Sequence, residues 1–315
     1  MHVLKPIPDA DKLVLKEKFV EHYSRLTDFE TFKKYSLSFL RKSIRVNTLK
    51  ASVESIKKRM GKQWGLEQIP WCDEGFWIHH EEGRRDIGNT LEHQLGYIYV
   101  QEAASMIPPI VLNPLPGETV LDIAAAPGSK TSQMAAMMQN TGVLVANDIT
   151  GDRLASLGVN LLRCGVANAV VRLGLGEKIP GSFDKILVDA PCSGTGAIRK
   201  SLGTLQSWNP NMILRLAGLQ KKLLAHAFSI LKPGGTLVYS TCSLEPDEDE
   251  AIVSWFLEAQ PQARIQPILL PLEHSPAVQH WDGKQLHPGV LECLRLWPQD
   301  NDTEGFFVAK IKKQE

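Results

Sequence analysis

From about residue 97 onward, the sequence alternates between apolar runs of strand length and amphipathic runs of helix length. Strands are predicted at residues 120–124, 143–148, 169–173, 183–189, 236–240 and 306–311, and helices at 130–138, 153–164, 212–231 and 248–259. Strands that alternate with helices are joined by right-handed crossovers, which build a parallel sheet with helices on both faces. The pattern therefore predicts an α/β fold with a doubly wound, mostly parallel sheet, whose ligands lie beyond the carboxyl ends of the strands.

The first 95 residues follow a different pattern, so we divide the chain into domains at 1–95 and 96–315. Helical spacing at 9–42 and 52–60, with an alternating run at 43–49, predicts a smaller α+β region. Residues 1–62 carry 15 Lys and Arg against 7 Asp and Glu, although the whole chain has no net charge. A basic segment beside an acidic body favours a polyanion partner, although a solvated helix face rich in lysine explains the charge equally well.

Composition narrows the class of protein further. The five cysteines are widely spaced and odd in number, which does not fit a disulfide framework and indicates the reducing cytoplasm. No two of them form a C-x-x-C pair, so we expect no metal site. No apolar run reaches the length of a membrane span, so we expect no membrane partner. We also expect a monomer.

A loop of small residues at 124–130 follows the first predicted strand of the larger region. Small residues let a backbone approach a ligand closely. The loop is neither a P-loop nor a three-glycine dinucleotide motif, so it is not built for a pyrophosphate. Asp148, at the end of the next strand, lies where an α/β domain places a carboxylate for ribose hydroxyls. The pair favours S-adenosylmethionine, and the alternative is a tight turn followed by a helix-capping aspartate.

Two cysteines lie on two further loops of the same region. Cys192 follows Asp-Ala-Pro at 189–191, and Cys242 follows Ser-Thr at 240–241, directly after a predicted strand. Two thiols beside a cofactor loop indicate covalent chemistry, in which one thiol attacks a substrate and the other helps to remove it.

Together these motifs resemble those of the Sun-type (RsmB/NOP/Sun) RNA cytosine-5 methyltransferases. The resemblance rests on Ala-Ala-Ala-Pro-Gly-Ser-Lys-Thr at 124–131 and on the two cysteine loops, in this order, with further matches at 45–49, 96–105 and 302–307. It extends from about residue 40 to the C-terminus. It implies a class I S-adenosylmethionine-dependent methyltransferase with a Rossmann-like fold and a smaller N-terminal RNA-binding region.

The resemblance also implies a role for each catalytic candidate. Cys242 is the nucleophile that adds to carbon 6 of cytosine, and Asp189 hydrogen-bonds the pyrimidine edge and supplies a proton at nitrogen 3. Cys192 acts as a base or proton relay when the enzyme is eliminated, and Lys130 places a positive charge nearby. DNA cytosine-5 methyltransferases use the cysteine of a Pro-Cys loop as nucleophile, which would be Cys192 here, but they lack the second loop.

The cofactor site implied by the resemblance comprises Ala124, Ala125, Ala126, Pro127, Gly128, Ser129, Lys130, Asp148, Arg153 and Asp189. Residues 124–130 surround the methionine moiety, Asp148 holds the ribose, and Asp189 lies beside the methyl donor. Many relatives carry an acidic residue after the third strand for the adenine amino group. This chain has glycines at 174 and 176, so adenine recognition is left to backbone groups or Glu177.

We therefore expect methylation of carbon 5 of cytosine in structured RNA, either tRNA or rRNA. The basic segment and the aromatic stretch at 64–77 would hold the folded RNA while the target base leaves its stack. The acidic run at 245–250 is interpreted as a helix N-terminus whose acids favour the helix dipole. The alternative is a non-catalytic RNA-binding or assembly factor on a methyltransferase fold, which predicts a damaged site.

Overall fold

The computed structural model describes residues 4–315, apart from the side chain of Asp11. Its N-terminal part contains α1 (Glu17–Ser24), α2 (Phe29–Ser36), β1 (Lys42–Val46), α3 (Val53–Met60), β2 (Trp64–Gln68), β3 (Gly75–His80), α4 (Leu91–Gln94) and β4 (Ile98–Val100). The four strands form an antiparallel sheet in the order β2-β3-β1-β4. This is the predicted smaller α+β region. Strand β4 belongs to this sheet although it follows residue 95. The domain boundary between residues 95 and 96 stays a prediction.

The larger part continues with α5 (Ile107–Leu112), β5 (Thr119–Asp122), α6 (Ser129–Met137), β6 (Val143–Asp148), α7 (Gly151–Cys164), β7 (Ala169–Leu173), β8 (Phe183–Asp189), α8 (Gly203–Ser207), α9 (Pro210–Ser229), β9 (Leu231–Thr241), α10 (Glu250–Ala259), β10 (Ala263–Gln266), β11 (His280–Trp281), β12 (Lys284–Gln285), β13 (Leu294–Leu296), α11 (Pro298–Asn301) and β14 (Phe306–Lys313). The main sheet has the order β10-β14-β9-β8-β5-β6-β7, with β13 paired to β14. The strands from β9 to β7 are parallel, whereas β10, β13 and β14 add antiparallel pairs at one side. The predicted α/β, mostly parallel sheet is confirmed.

Local sequence signals explain where the helices begin and end. The side chain of Asn209 accepts a hydrogen bond from the backbone of Asn211, and Pro210 occupies the first position of α9, where its missing N–H costs nothing. Helix α7 ends at Gly165, which has the left-handed φ of 72° that glycine tolerates best. The core lies between the sheet and its helices, where apolar side chains of β5, β8 and β9 are fully buried.

The N-terminal helices pack against the larger part of the chain. Phe19 and Tyr23 of α1 and Phe32 of α2 form one buried cluster with Trp208 and Trp297. Tyr23 and Phe32 are stacked, and the edge of Phe19 meets Trp208 at 5.5 Å between ring centroids. Helices α1 and α2 are therefore part of the protein core and do not extend from the body as an arm.

The aromatic stretch at 64–77 also belongs to the core, and its predicted role in holding RNA is wrong for most of its side chains. Trp64, Trp71, Phe76 and Trp77 are all buried, with exposed fractions of 1–7%. The indole of Trp71 donates to the carbonyl of Ala103 at 3.0 Å. Trp64 and Phe76 pack in the core of the small region, whereas Trp71 and Trp77 pack into the core of the larger part. Within residues 4–315, no helix is both long and apolar enough to cross a membrane.

Candidate active site

The carboxyl ends of four parallel strands bring the candidate residues to one edge of the sheet. Strand β5 lies between β6 and β8, and β8 pairs with β9 so that Asp189 is level with Ser240. The loops that follow these strands therefore face one another. This is the edge at which open parallel sheets bind ligands.

The two loop cysteines lie in contact. Their Sγ atoms are 3.2 Å apart, and both side chains are partly buried. The pKa of the Cys192 thiol is raised well above its usual value by the hydrogen bond with Cys242, by burial and by the negative charge of Glu248. Cys192 therefore holds its proton firmly, and that proton can be shared with the sulfur of Cys242.

Asp189 and Lys130 form an ion pair beside the cysteines. Lys130 Nζ donates to Asp189 Oδ2 at 2.7 Å, and Ser240 Oγ donates to Asp189 Oδ1 at 2.8 Å. Burial alone would lower the pKa of Lys130, but the charge of Asp189 and its hydrogen bond outweigh burial and raise it. The lysine thus stays protonated next to the carboxylate. Ser240 fixes the orientation of the carboxylate, and sequence reasoning did not identify it.

Glu248 joins the two cysteine loops and was not identified as a site residue from the sequence. It is fully buried, and its carboxylate accepts hydrogen bonds from the backbone and hydroxyl of Ser193 and from the hydroxyl of Ser243 at 2.6 Å. Gln220 donates to it from α9 at 3.0 Å. Burial raises the pKa of Glu248, and these donors partly offset that rise. Because Ser193 follows Cys192 and Ser243 follows Cys242, this one carboxylate fixes the spacing of the thiols.

The acidic run at 245–250 leads into α10, as predicted, and its acids also have partners inside the protein. Glu245 is buried and accepts from Tyr23 Oη at 2.6 Å and from Trp208 Nε1 at 2.9 Å. Glu250 accepts from Arg295 through both carboxylate oxygens, with Arg295 Nε at 2.7 Å from Oε1. The acids lie at the start of α10, but each has a specific partner in the interior. Their spacing alone gave no sign of those distant partners.

The loop at 124–130 forms a tight turn above β5. Its backbone reaches Gly128, whose φ of 102° is in the left-handed region that favours glycine, and α6 begins at the next residue. Thr131 donates its hydroxyl to Asp122 Oδ2 at 2.7 Å, which ties the helix to the strand. The other oxygen of Asp122 is buried without a hydrogen-bond partner. An acceptor of this kind suits the ammonium group of a methionine moiety, so the loop fits the predicted cofactor.

Asp148 ends β6 as predicted and lies beneath Arg153. Its carboxylate accepts a hydrogen bond from the backbone N–H of Ala126 at 3.1 Å and forms an ion pair with Arg153, whose Nε lies 2.9 Å away. Arg153 also donates to the carbonyl of Ala126 at 3.0 Å. Only 3% of Asp148 is exposed, whereas the side chain of Arg153 is 56% exposed. Asp148 is therefore buried beneath the more exposed side chain of Arg153.

The glycine-containing loop after β7 has backbone and guanidinium groups where an acid was expected. The N–H of Gly174 donates to the carbonyl of Asp148 at 3.0 Å, and Arg172 donates to the side chain of Asn147 at 2.6 Å. Glu177 is half-buried near the end of the loop. This arrangement leaves both options for adenine recognition in place. Among the residues that the structure describes, no three metal-ligating side chains lie close enough to hold a metal ion.

Two family profiles match the chain. The family profile described as "16S rRNA methyltransferase RsmB/F" matches residues 109–312, and the one described as "N-terminal domain of 16S rRNA methyltransferase RsmF" matches residues 15–103. The two profiles therefore cover both the larger part and the smaller region of the chain.

Individual relatives extend over most of the sequence. The chain is 44% identical to the tRNA (cytosine(49)-C(5))-methyltransferase of Pyrococcus abyssi over 95% of its own length and 96% of the relative. It is 43% identical to the ribosomal RNA small subunit methyltransferase F of Klebsiella pneumoniae over 87% of its own length, but it spans only 57% of that protein. The crystal structure of a methyltransferase homologue from Pyrococcus horikoshii superimposes with a TM-score of 0.82 at 37% identity, covering 95% of this chain and 100% of the other.

Proposed function

The chain belongs to the 16S rRNA methyltransferase RsmB/F family, and we propose that it methylates carbon 5 of a cytosine in RNA. Cys242 and Cys192 would act through a covalent bond between the protein and the base. The observation that carries the proposal is the contact between the two sulfur atoms at 3.2 Å, beside the Lys130–Asp189 ion pair. Two thiols in contact supply both a nucleophile and a proton carrier, and this reaction needs both.

The methyl donor is S-adenosylmethionine, which supplies an electrophilic methyl group when bound. In our proposal the loop at 124–130 would hold the methionine moiety, with Asp122 as an acceptor for its ammonium group. Asp148 would accept hydrogen bonds from the ribose hydroxyls, with Arg153 nearby. Asp189 ends β8, which lies between β5 and β9, and would lie beside the methyl donor.

Carbon 5 of cytosine is a poor nucleophile. In our proposal Cys242 gives its thiol proton to solvent, and the resulting thiolate adds to carbon 6. The new bond between Cys242 Sγ and carbon 6 moves the electrons of the ring double bond toward carbon 5 and nitrogen 3. Lys130 holds a proton next to the Asp189 carboxylate, so the pair can deliver a proton to nitrogen 3 as negative charge develops there. Carbon 5 then has the electron density to accept the methyl group.

Release of the product requires the proton on carbon 5 to leave. Cys192 relays this proton: its sulfur takes the proton from carbon 5 while its own thiol proton passes to the sulfur of Cys242, 3.2 Å away. The electron pair of the C–H bond re-forms the ring double bond, the bond from carbon 6 to Cys242 breaks with its electron pair on sulfur, and the proton on nitrogen 3 returns to the Lys130–Asp189 pair. The raised pKa of Cys192 suits this step, because the thiol keeps its proton until the departing sulfur can take it.

The substrate we favour is tRNA. The support is that this chain aligns with nearly the whole of a relative named for cytosine 49 of tRNA. A second candidate, 16S rRNA, is favoured by the match of residues 15–103 to the RsmF N-terminal domain. The assembly-factor alternative predicts a damaged site and is not favoured, because Cys192, Cys242 and the ion pair all lie together. The monomeric state and the cytoplasmic location stay predictions.

The proposal is tested with the purified protein, radiolabelled S-adenosylmethionine and two unmodified transcripts, a tRNA and a 16S rRNA. The wild type should incorporate methyl groups into one of them, and bisulfite sequencing should locate 5-methylcytosine. Cys242→Ala should bind the cofactor normally but show no turnover, because the thiol acts only on the base. Turnover by Cys242→Ala would overturn the assignment of the nucleophile, and labelling at an atom other than carbon 5 would overturn the reaction.

A further inference from the structure

A basic groove lies on the small region, between the start of β1, the end of β3 and the turn that follows β3. Its volume is about 190 Å³, and its lining includes Phe39, Lys42, Trp77 and Arg85. Lys42 begins β1, and Arg85 lies on the turn after β3. The groove therefore combines side chains that are distant in sequence on a surface that the proposed chemistry does not use.

Not every cation in the groove is free. Arg41 pairs with the carboxylate of Glu67 and lies 4.0 Å above the ring of Trp77. Arg84 pairs with Asp86. These two arginines already have anionic partners, so they shape the wall of the groove and add little net charge to it.

Lys42 and Arg85 differ because, among the described residues, neither makes a side-chain hydrogen bond or an ion pair with a carboxylate. The guanidinium of Arg85 lies 4.1 Å from the ring of Phe39, which orients it without neutralising it. Burial lowers the pKa of Lys42, and the positive charges of Arg85 and Lys200 lower it further. Lys42 thus faces two other cations, and this arrangement favours an anion.

The third cation, Lys200, attaches the groove to the catalytic loop. Its neighbour Arg199 is buried and donates to the carbonyl of Phe39 at 2.8 Å and to that of Thr303 at 3.1 Å. The next segment is tied in the same way, because the N–H of Gly305 donates to the carbonyl of Gly196 at 2.9 Å. Hydrogen bonds thus connect the floor of the groove to the loop that carries Cys192.

We propose that Lys42, Arg85 and Lys200 hold a backbone phosphate of the substrate RNA, close to the nucleotide whose base enters the active site. This inference rests on the proposed function. It adds the place at which the RNA strand crosses from the small region to the cysteine loops. Phosphate contacts fix the register of a nucleic acid without reading its sequence. The three cations come from both parts of the chain, so one bound phosphate aligns the RNA with both.

The test compares the wild type with the triple variant Lys42→Gln/Arg85→Gln/Lys200→Gln. Affinity for an unmodified tRNA transcript is measured by fluorescence anisotropy over a series of KCl concentrations, without methyl transfer. If the three cations together hold one phosphate, the slope of log affinity against log salt should become shallower by about 0.7–0.9. Affinity for S-adenosylmethionine should not change, because the cofactor loop is elsewhere.

The matched control is Lys58→Gln/Lys222→Gln/Lys312→Gln, which removes the same charge from exposed lysines outside the groove. Its salt slope should stay near that of the wild type. Equal slopes for all three proteins, or an equal loss in both variants, would overturn the groove as a phosphate site. Because the readout is binding, a protein that bound tRNA through the groove but methylated no RNA would overturn the proposed function alone.

Discussion

Cys192 and Cys242 are chemically alike, but their surroundings differ. Cys192 is held by the Glu248 network and has a raised pKa, whereas Cys242 follows the end of β9 beside Ser240 and the Asp189 carboxylate. If Cys192 removes the proton from carbon 5, Cys192→Ala should stop the reaction after methyl transfer. A covalent protein–RNA adduct should then accumulate and survive denaturing electrophoresis.

The control for the adduct is the double variant Cys192→Ala/Cys242→Ala, which should form none. The opposite pattern would reverse the two roles: an adduct in Cys242→Ala that disappears in Cys192→Ala. That outcome would match the cysteine order of the DNA enzymes, in which the Pro-Cys loop carries the nucleophile.

We expect the charge of Asp148 to contribute to cofactor binding. Asp148→Asn keeps the shape of the side chain but replaces charged acceptors for the ribose with a neutral one. Hydrogen bonds to charged groups contribute about 1–2 kcal/mol more than neutral ones, which is roughly 5- to 30-fold in affinity. Calorimetric titration with S-adenosylmethionine should show this loss, and the neighbouring exposed Asp152→Asn should not. Equal affinities for the two variants would contradict the ribose role.

At the scale of elements, the alternation of strands and helices was readable from the sequence. Predicted strands 143–148, 169–173 and 183–189 agree with β6, β7 and β8. Helix α9 begins two residues before the predicted start because Asn209 and Pro210 form a cap that was overlooked. Strand β10 was missed, because its four residues mix charged and apolar side chains and are held only by pairing with β14.

The loops of the active site show the same division. Sequence motifs identified the two cysteines, Lys130 and Asp189 as candidates, because each of these side chains carries a reactive or charged group. Glu248 was not identified from the sequence, because it lies in an acidic run and its donors Gln220 and Ser193 are 28 and 55 residues away along the chain. Contacts between distant segments depend on how the loops fold over the sheet, and no local pattern encodes them.

The Glu248 network gives a prediction at this scale. In Glu248→Gln the amide group faces hydrogen-bond donors that the carboxylate satisfied, so at least one buried donor loses its partner. An unsatisfied buried donor costs about 1–3 kcal/mol. We expect a lower melting temperature and a lower kcat with unchanged affinity for S-adenosylmethionine. The exposed Glu292→Gln is the matched control, and a kcat equal to that of the wild type would argue against a positioning role for Glu248.

At the scale of the whole molecule, charge counted along the chain was a weak guide. The basic excess of residues 1–62 suggested an RNA-binding arm, but Arg45 is buried and donates to Gln101 and Ser132. Helices α1 and α2 pack on the larger part through their aromatic side chains. A count of charges along the sequence does not distinguish a solvated lysine from a buried arginine. Which cations are free therefore depends on the three-dimensional structure.

A buried pair of carboxyl groups also joins the two parts of the chain. Glu102 follows β4, and its carboxylate accepts from the backbone of Glu304 at 3.2 Å. Burial and then the negative charge of Glu304 raise the pKa of Glu102 from 4.5 to about 8. The folded state therefore binds a proton that the unfolded chain releases, and this contribution to stability is lost as the pH rises from about 4.5 to about 8.

The resulting prediction is that the free energy of unfolding falls over this range, by up to about 1.4 kcal/mol per pH unit for this single group. Glu304→Gln removes the repelling charge, lowers the pKa of Glu102 and should make the fall shallower above neutral pH. Urea unfolding at several pH values measures it, with the exposed Glu82→Gln as control. Burial is the larger cause of the raised pKa, so part of the slope should persist in Glu304→Gln. If the slope of the unfolding free energy against pH were identical to that of the wild type, Glu304 would not raise the pKa of Glu102. The proposal that this pair couples the two parts of the chain would then be wrong.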